Sequence, residues 1–329
     1  MSAPRAVGVR APWTAVPARV RTWVDEALGS PVVEHVDVVG GMSPGCATRV
    51  TCADGTRAFV KAVGLELNPE TPAMFRREAR VLGLIGSDPL WARLEAAYDD
   101  GGWVALLLED VEGRHPDLAD DDEMALLLGA TDRLAAVLAD RVPEPPATPA
   151  ADEGGLHDFA DVVERWAGAL DRAAERPLDL LPDWVCADAG DWAARVRSLA
   201  GTGPGRLVHW DIRNDNLLLR PSGELVFLDW GAALVGPDWL DPLLARLERV
   251  ELSWFDASLA TSPPLARVGD DAVTAWLVGF SAFLAWRAET AQDVNLPTLG
   301  EFRRREARRA LGAAARRLSR DLGGPEPRW

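Results

Sequence analysis

The spacing of apolar positions changes character twice along the chain. Residues 13–29 carry Val16, Val20, Trp23, Val24 and Leu28 at helical intervals and stop at Gly29, which predicts a leading helix. From Val32 to Val39 the pattern alternates and is rich in β-branched residues, which predicts a strand. The turn Gly40-Gly41-Met42-Ser43-Pro44-Gly45 leads into a second strand, Cys46 to Cys52. Asp54-Gly55 is a hairpin signal, and Arg57 to Val63 is the third strand. A helix over 70–86, opened by Thr71-Pro72, precedes two more strands, Arg93–Tyr98 and Trp103–Glu109. Helical spacing then takes over at 122–140, 156–175, 188–200, 240–250, 270–290 and 300–320. It is interrupted by a proline-rich link, Val142 to Gly155, and by a short β pair, Leu217–Arg220 and Leu225–Asp229, around Pro221-Ser222-Gly223. The expected class is α+β. A small five-stranded antiparallel lobe occupies residues 1–110, a larger helical lobe occupies 111–329, and they join near Glu109–Gly113.

Composition narrows the function. Net charge is -16, which argues against a general nucleic-acid binder, because such binding neutralises phosphates with cations. Three cysteines are too few for a disulfide scaffold, and four dispersed histidines show no metal-ligand spacing. The longest uncharged apolar stretch, Thr274 to Trp286, is too short to span a bilayer and reads as a buried helix. With no signal-peptide pattern at the N-terminus, the expectation is a cytoplasmic protein with no membrane and no nucleic-acid partner, monomeric or homodimeric. Of the 35 basic residues every one is Arg except Lys61, and a lone point-charge cation in such a background is a candidate for a specific task.

The chemistry concentrates in Val208 to Gly231, VHWDIRNDNLLLRPSGELVFLDWG. It contains His209-x-Asp211-x-x-x-x-Asn216 and then Asp229-x-Gly231. Phosphoryl transfer needs a carboxylate beside the attacking hydroxyl, and Asp211 is the candidate. A hard cation such as Mg²⁺ needs oxygen ligands, and Asn216 and Asp229 are the candidates. The hairpin between them brings the two to adjacent strand ends.

This stretch resembles the kinase signatures, and it is most similar to the aminoglycoside phosphotransferase and choline kinase superfamily. The resemblance also rests on Gly236-Pro237-Asp238-Trp239-Leu240-Asp241, since members commonly show a further Asp about a dozen residues after the metal motif. It implies a bilobal protein-kinase-like fold, with the catalytic loop at 207–216 and the metal motif at 229–231. Asp241 would brace the loop backbone, and His209 would order the loop by hydrogen bonding. Lys61, held by Glu78, would grip the phosphates; Gly41 and Ser43 of the glycine turn would cover them; and backbone at Leu108, Glu109 and Val111 would meet the nucleobase. The implied cofactors are ATP, or GTP in its place, and Mg²⁺. Two departures stand out. Trp210 replaces a usually small residue, and GGMSPG differs from the protein-kinase glycine motif.

The acceptor is expected to be a small-molecule hydroxyl. Asp241 follows Asp229 so closely that no peptide-binding activation segment fits between them. Asp238, Trp239, Glu251, Trp254, Asp256, Trp286 and Glu289 are the acceptor-site candidates, because acidic groups and Trp faces suit amino sugars or ammonium groups. The reading is an O-phosphotransferase acting on an aminoglycoside or other antibiotic. The alternatives are an amino-sugar, sugar or choline-type metabolite kinase and, in a different class, a nucleotide-binding pseudoenzyme. The acidic run Asp120–Glu123 reads as helix capping, and the Arg-rich segment 301–320 as a surface helix facing the acidic body.

Overall fold

In the computed structural model, residues 8–38 and 41–322 are described, and the alternating segments pair into one antiparallel sheet. Its strands are β1 (Val32–Asp37), β2 (Cys46–Cys52), β3 (Arg57–Gly64), β4 (Leu94–Asp99) and β5 (Trp103–Leu108), in the order β1-β2-β3-β5-β4. Val39 and Gly40, where the first strand and the glycine turn were expected to meet, lie outside the described residues. All six residues of β5 are buried, because both faces of this sheet are covered. Val104, Leu106 and Leu108 pack with Phe75, Val81 and Leu82 of α2 (Thr71–Ile85). Trp103, Ala105 and Leu107, pointing the other way, pack with Val20 and Val24 of α1 (Ala18–Leu28). The expected leading helix is shorter than its apolar pattern. Pro17 caps α1, and the preceding Trp13–Ala15 forms a separate 3₁₀ turn, because proline cannot donate within a helix.

The larger lobe holds α3 (Asp121–Arg141), β6 (His157–Asp158), α4 (Phe159–Glu175), α5 (Asp183–Ala187), α6 (Ala189–Ser198), β7 (Gly205–Val208), β8 (Leu217–Leu219), β9 (Leu225–Phe227) and β10 (Leu234–Pro237). It continues with α7 (Leu240–Arg246), α8 (Ser253–Leu259), α9 (Pro263–Val268), α10 (Asp270–Thr290) and α11 (Leu299–Leu318). The molecule is bilobal and of the α+β class. β7 lies antiparallel to β10, which pairs in parallel with β6, and β8 pairs with β9. The three-stranded group was not anticipated, because strands of two to four residues are too short to show a period. The helix expected over 240–250 is α7 followed by a 3₁₀ turn at Leu247–Arg249.

α10 has no polar face through its middle, and Trp276, Leu277 and Val278 are fully buried. It packs against α4, α6 and α11. No helix among the described residues is long and apolar enough to cross a membrane. α11 turns its arginines toward the chain's own acids: Arg309 reaches Glu251 at 3.0 Å, and Arg316 and Arg317 reach Asp256 at 2.7 and 2.9 Å. Asp120 caps α3, accepting from the amides of Asp122 and Glu123 at 3.0 Å each.

Candidate active site

Three elements converge on one cation. β3 presents Lys61 between Ala47 of β2 and Leu106 of β5. Its Nζ donates to both carboxylate oxygens of Glu78, on α2, at 2.9 and 2.8 Å. The same nitrogen lies 3.2 Å from Asp229 Oδ1, contributed by the other lobe. Burial opposes the lysine's charge, but the carboxylates of Asp229 and Glu78 outweigh it and raise its pKa above the ordinary lysine value. Burial opposes the Asp229 charge too, yet Lys61 above all, with Arg213, holds that carboxyl below its ordinary value. Glu78 is raised, because burial there exceeds the pull of Lys61.

The neighbour of Glu78 fixes the helix to the second lobe. Arg77 is buried and donates to the carbonyls of Gly155, Gly231 and Ala151 at 2.6, 2.6 and 2.7 Å. One side chain thereby ties α2 to the proline-rich link and to the metal-motif loop. No motif marks Arg77, and only its position beside Glu78 was a signal.

β7 delivers the catalytic loop. Asp241, buried in the first turn of α7, accepts from the backbone amides of His209 and Trp210 at 2.8 and 3.0 Å. His209 joins this loop to the metal motif. Its Nε2 is 3.0 Å from the Leu228 carbonyl, and its Nδ1 accepts from the Asp211 amide at 3.3 Å. That arrangement assigns the proton to Nε2 in a neutral ring, and burial lowers the histidine's pKa. Two non-glycine residues here adopt left-handed backbone, Trp210 at φ 66° and Asp229 at φ 62°. Each costs on the order of 1–3 kcal/mol, held in place by these hydrogen bonds. Glycine is favoured at such a φ, which accounts for the small residue expected at position 210.

Asp211 is gripped from two sides. Asn216 Nδ2 donates to its Oδ2 at 2.7 Å and to its backbone carbonyl at 3.0 Å, and Arg213 Nε lies 3.2 Å from its Oδ1. Burial raises its pKa, with Arg213 opposing. With the Asn216 amide nitrogen spent on Asp211, the amide oxygen is left to face a cation. The β8–β9 hairpin sets Asn216 beside the metal motif, where the Leu228 amide donates to the Asn216 carbonyl at 2.8 Å. Arg213 was not anticipated, although it stands two positions after Asp211. Nor was Glu248, whose Oε1 accepts from the Asn214 amide at 2.8 Å.

Two cavities meet at this centre. One, of about 550 Å³, lies between the lobes and is lined by Gly41, Ser43, Lys61, Glu78, Asn216 and Asp229 at its polar end. Ala47, Phe59, Leu82, Leu108, Val111 and Leu218 line its apolar part. At the inter-lobe link the Glu109 amide donates to the Arg93 carbonyl at 2.9 Å. The carbonyl of Glu109 and the amide of Val111 have no protein partner among the described residues, so the link presents one acceptor and one donor to the cavity. Asp110 anchors the link to the sheet through Arg49 and Arg57 at 3.0 and 2.6 Å.

The second cavity, about 1360 Å³, opens on Asp211 and Arg213. Of the acceptor candidates only Glu251 lines it. Asp238 is held by Arg267 at 2.6 Å, Asp256 by Arg316 and Arg317, and Glu289 accepts from the Asp179 amide at 3.1 Å. Trp239 is fully buried, Trp254 stacks on Arg249, and Trp286 on Arg172. These six therefore lie elsewhere. Their charges and rings are used in ion pairs and packing that composition cannot reveal.

Comparison with known proteins bears on the family and the fold. Residues 50–245 match the sequence model of the phosphotransferase enzyme family (APH). The chain belongs to that family. No curated protein matches it at a significant level. Among solved structures it is similar to an aminoglycoside phosphotransferase, APH(4)-Ia, in ternary complex with ADP and hygromycin B, at 14% identity and TM-score 0.61 over 93% of this chain and all (100%) of that one. It is also similar to choline kinase LicA from Streptococcus pneumoniae, at 14% identity and TM-score 0.57 over 91% and 100% of the two chains. A macrolide 2'-phosphotransferase, MphH, from Brachybacterium faecium resembles it at 17% identity and TM-score 0.53 over 95% and 100%.

Replacing Arg77 by Ala leaves the two buried carbonyls of Gly155 and Gly231 without their donor, removes one of the two donors to Ala151, and is expected to lower folding stability by about 2–4 kcal/mol. Urea unfolding measures this, and a loss below about 1 kcal/mol would contradict the tie between the lobes.

Proposed function

We propose that this phosphotransferase moves the γ-phosphate of ATP to a hydroxyl of a small molecule bound beside Asp211. The observation that carries the reading is the meeting of Lys61, Glu78 and Asp229 at the polar end of one cavity, with Asn216 beside them and Asp211 opening on the next. Lys61 would hold phosphate oxygens, Gly41 and Ser43 would cover the phosphates, and the Glu109 carbonyl and Val111 amide would meet the nucleobase edge. An adenine suits that pair of groups, and GTP is the alternative donor. Asp211 would accept the acceptor's proton as the hydroxyl oxygen attacks the γ-phosphorus, and ADP leaves. Asn216 offers an amide oxygen and Asp229 a carboxylate, a hard donor set that fits Mg²⁺. Such an ion, when bound, supplies positive charge that neutralises the phosphates.

The acceptor cavity combines an aromatic wall with an acidic rim. Trp210, Phe280, Leu284 and Phe302 form an apolar wall, backed by the buried Trp276. Seven acids line it, Asp117, Asp121, Asp211, Asp215, Glu248, Glu251 and Glu306, against four arginines, Arg213, Arg249, Arg305 and Arg309, so the lining is acidic on balance even with Asp121, Glu251 and Glu306 in ion pairs at 2.6, 3.0 and 2.7 Å. It therefore favours a hydroxylated molecule that carries ammonium groups as well as an apolar face, an aminoglycoside or another amine-bearing antibiotic. The same aromatic faces suit a choline-like cation, which is the second reading.

Three measurements test this. Asp211→Ala is expected to reduce transfer by about 10³-fold or more while nucleotide affinity stays within about threefold, and retained turnover would remove Asp211 from the mechanism. A ³¹P-detected panel of macrolides, aminoglycosides, hexosamines and choline should show its best turnover with the amine-bearing antibiotics. Trp210→Gly, which relieves the backbone but removes the wall, should raise the acceptor KM by about tenfold or more with nucleotide KM unchanged. ATP binding without transfer to any compound would favour a pseudoenzyme.

A further inference from the structure

We propose that Arg10 is a second phosphate-binding cation, carried into the nucleotide cavity by a strap that runs ahead of the leading helix. The proposal rests on reading that cavity as the nucleotide site. It assigns to the N-terminal segment a role that no motif in the chain suggests.

The strap, residues 8–11, is built onto the glycine turn by backbone hydrogen bonds. The Gly8 amide donates to the Gly41 carbonyl at 3.1 Å, and the Ala11 amide donates to the Gly45 carbonyl at 3.1 Å. The Gly45 amide returns a bond to the Val9 carbonyl at 3.4 Å. The strap also reaches the other lobe, where the Val9 amide donates to the Asn295 carbonyl at 2.9 Å. Asn295 belongs to the loop between α10 and α11, and the neighbouring Val294 carbonyl accepts from Asn68 Nδ2 at 3.0 Å. The strap is thus held to the turn at three points and to the helical lobe at a fourth. A side chain on it has a defined position.

That side chain points into the site. Arg10 lines the same cavity as Lys61, Asn216 and Asp229. Its Nη1 donates to the Ser43 carbonyl at 2.7 Å. Its guanidinium lies against Gly41, where a methyl group would collide with it, and Gly41 is at φ 82°. The turn therefore needs glycine at this position twice over, for its backbone angle and for room beneath the arginine. Burial weakens the guanidinium's hold on its proton, and the nearby Asp229 carboxylate opposes that effect, so the two sense one another across the polar end of the cavity.

Three cations line the cavity, Lys61 on the sheet, Arg49 at the link end and Arg10 on the glycine turn. Arg10 is the one seated on the turn that covers the phosphates. A guanidinium carries five N–H donors in a rigid fork, so it can hold the Ser43 carbonyl and phosphate oxygens together. It would supply to the phosphate tail a charge that the amides of GGMSPG, a turn unlike the protein-kinase glycine motif, provide only as dipoles.

The test compares wild type, Arg10→Gln and Arg10→Lys by calorimetric titration with ATP, AMP and adenosine in the presence of Mg²⁺, with melting of each unliganded protein as the folding check. Arg10→Gln should weaken ATP by about tenfold or more and adenosine by less than about twofold, with AMP in between, and Arg10→Lys should recover part of the loss. Unchanged ATP affinity in Arg10→Gln overturns the proposal. An equal loss for adenosine and ATP also overturns it, because the arginine then only shapes the turn. If Arg10→Gln does not fold, Arg10→Lys decides: ATP weakened more than adenosine supports the fork, and equal affinities refute it. Wild type that binds none of the three ligands would instead overturn the nucleotide reading itself.

Discussion

A buried ammonium shared by carboxylates from both lobes is the constraint on which the rest of this structure depends. Lys61 sits within 3.2 Å of both Glu78 and Asp229. Each of the three is costly to bury alone and tolerable only beside the others. The sheet register that aims Lys61 at α2, the packing of α2 on β5, and the hairpin that leads into Asp229 all serve to keep these charges together. Arg77 reinforces the arrangement through backbone, by binding the carbonyl of Gly231, two residues past Asp229. The same convergence leaves a gap between the lobes with polar groups at one end and apolar side chains at the other, the shape a nucleotide requires.

A second constraint acts on the loop that carries Asp211. The chain turns through left-handed backbone at Trp210 and again at Asp229, and neither residue is glycine. The buried carboxylate of Asp241 holds two successive amides of the first turn, and His209 spans from the first turn to the second. The strain is spent on aiming two carboxylates, Asp211 and Asp229, at neighbouring cavities. At Trp210 it also places an indole ring among Phe159, Trp166 and Trp276, where it forms part of the wall of the second cavity.

Much of this was legible in the sequence, and the reasons are local. His209, Asp211, Asn216, Asp229 and Asp241 fall within one short stretch whose spacing is fixed by a loop and a hairpin. Lys61 stood out because every other basic residue is Arg. Glu78 followed from its place on the next helix. The acceptor candidates were chosen for chemical type and for a place between the catalytic loop and the C-terminal helices, and most do not line the second cavity because α11 and other helices bring arginines to the acids, a pairing set by tertiary packing. Arg10 and Arg77 escaped notice for a related reason. In a chain full of arginines, only the partners of a side chain distinguish one from another, and those partners lie 33 to 154 residues away. The short strands β7 and β10 and the break at Pro17 were missed because four residues show no period and one proline overrides a good one.

The most direct measurement is the affinity of Mg²⁺–ATP for wild type and for Lys61→Met, titrated alongside adenosine, with melting curves showing both proteins folded. The account predicts that the triphosphate binds at least about tenfold more weakly to the variant while adenosine binds equally to both. Equal affinity for the triphosphate would mean that the ammonium at the meeting point of the two lobes does not hold phosphate, and the central claim would fail.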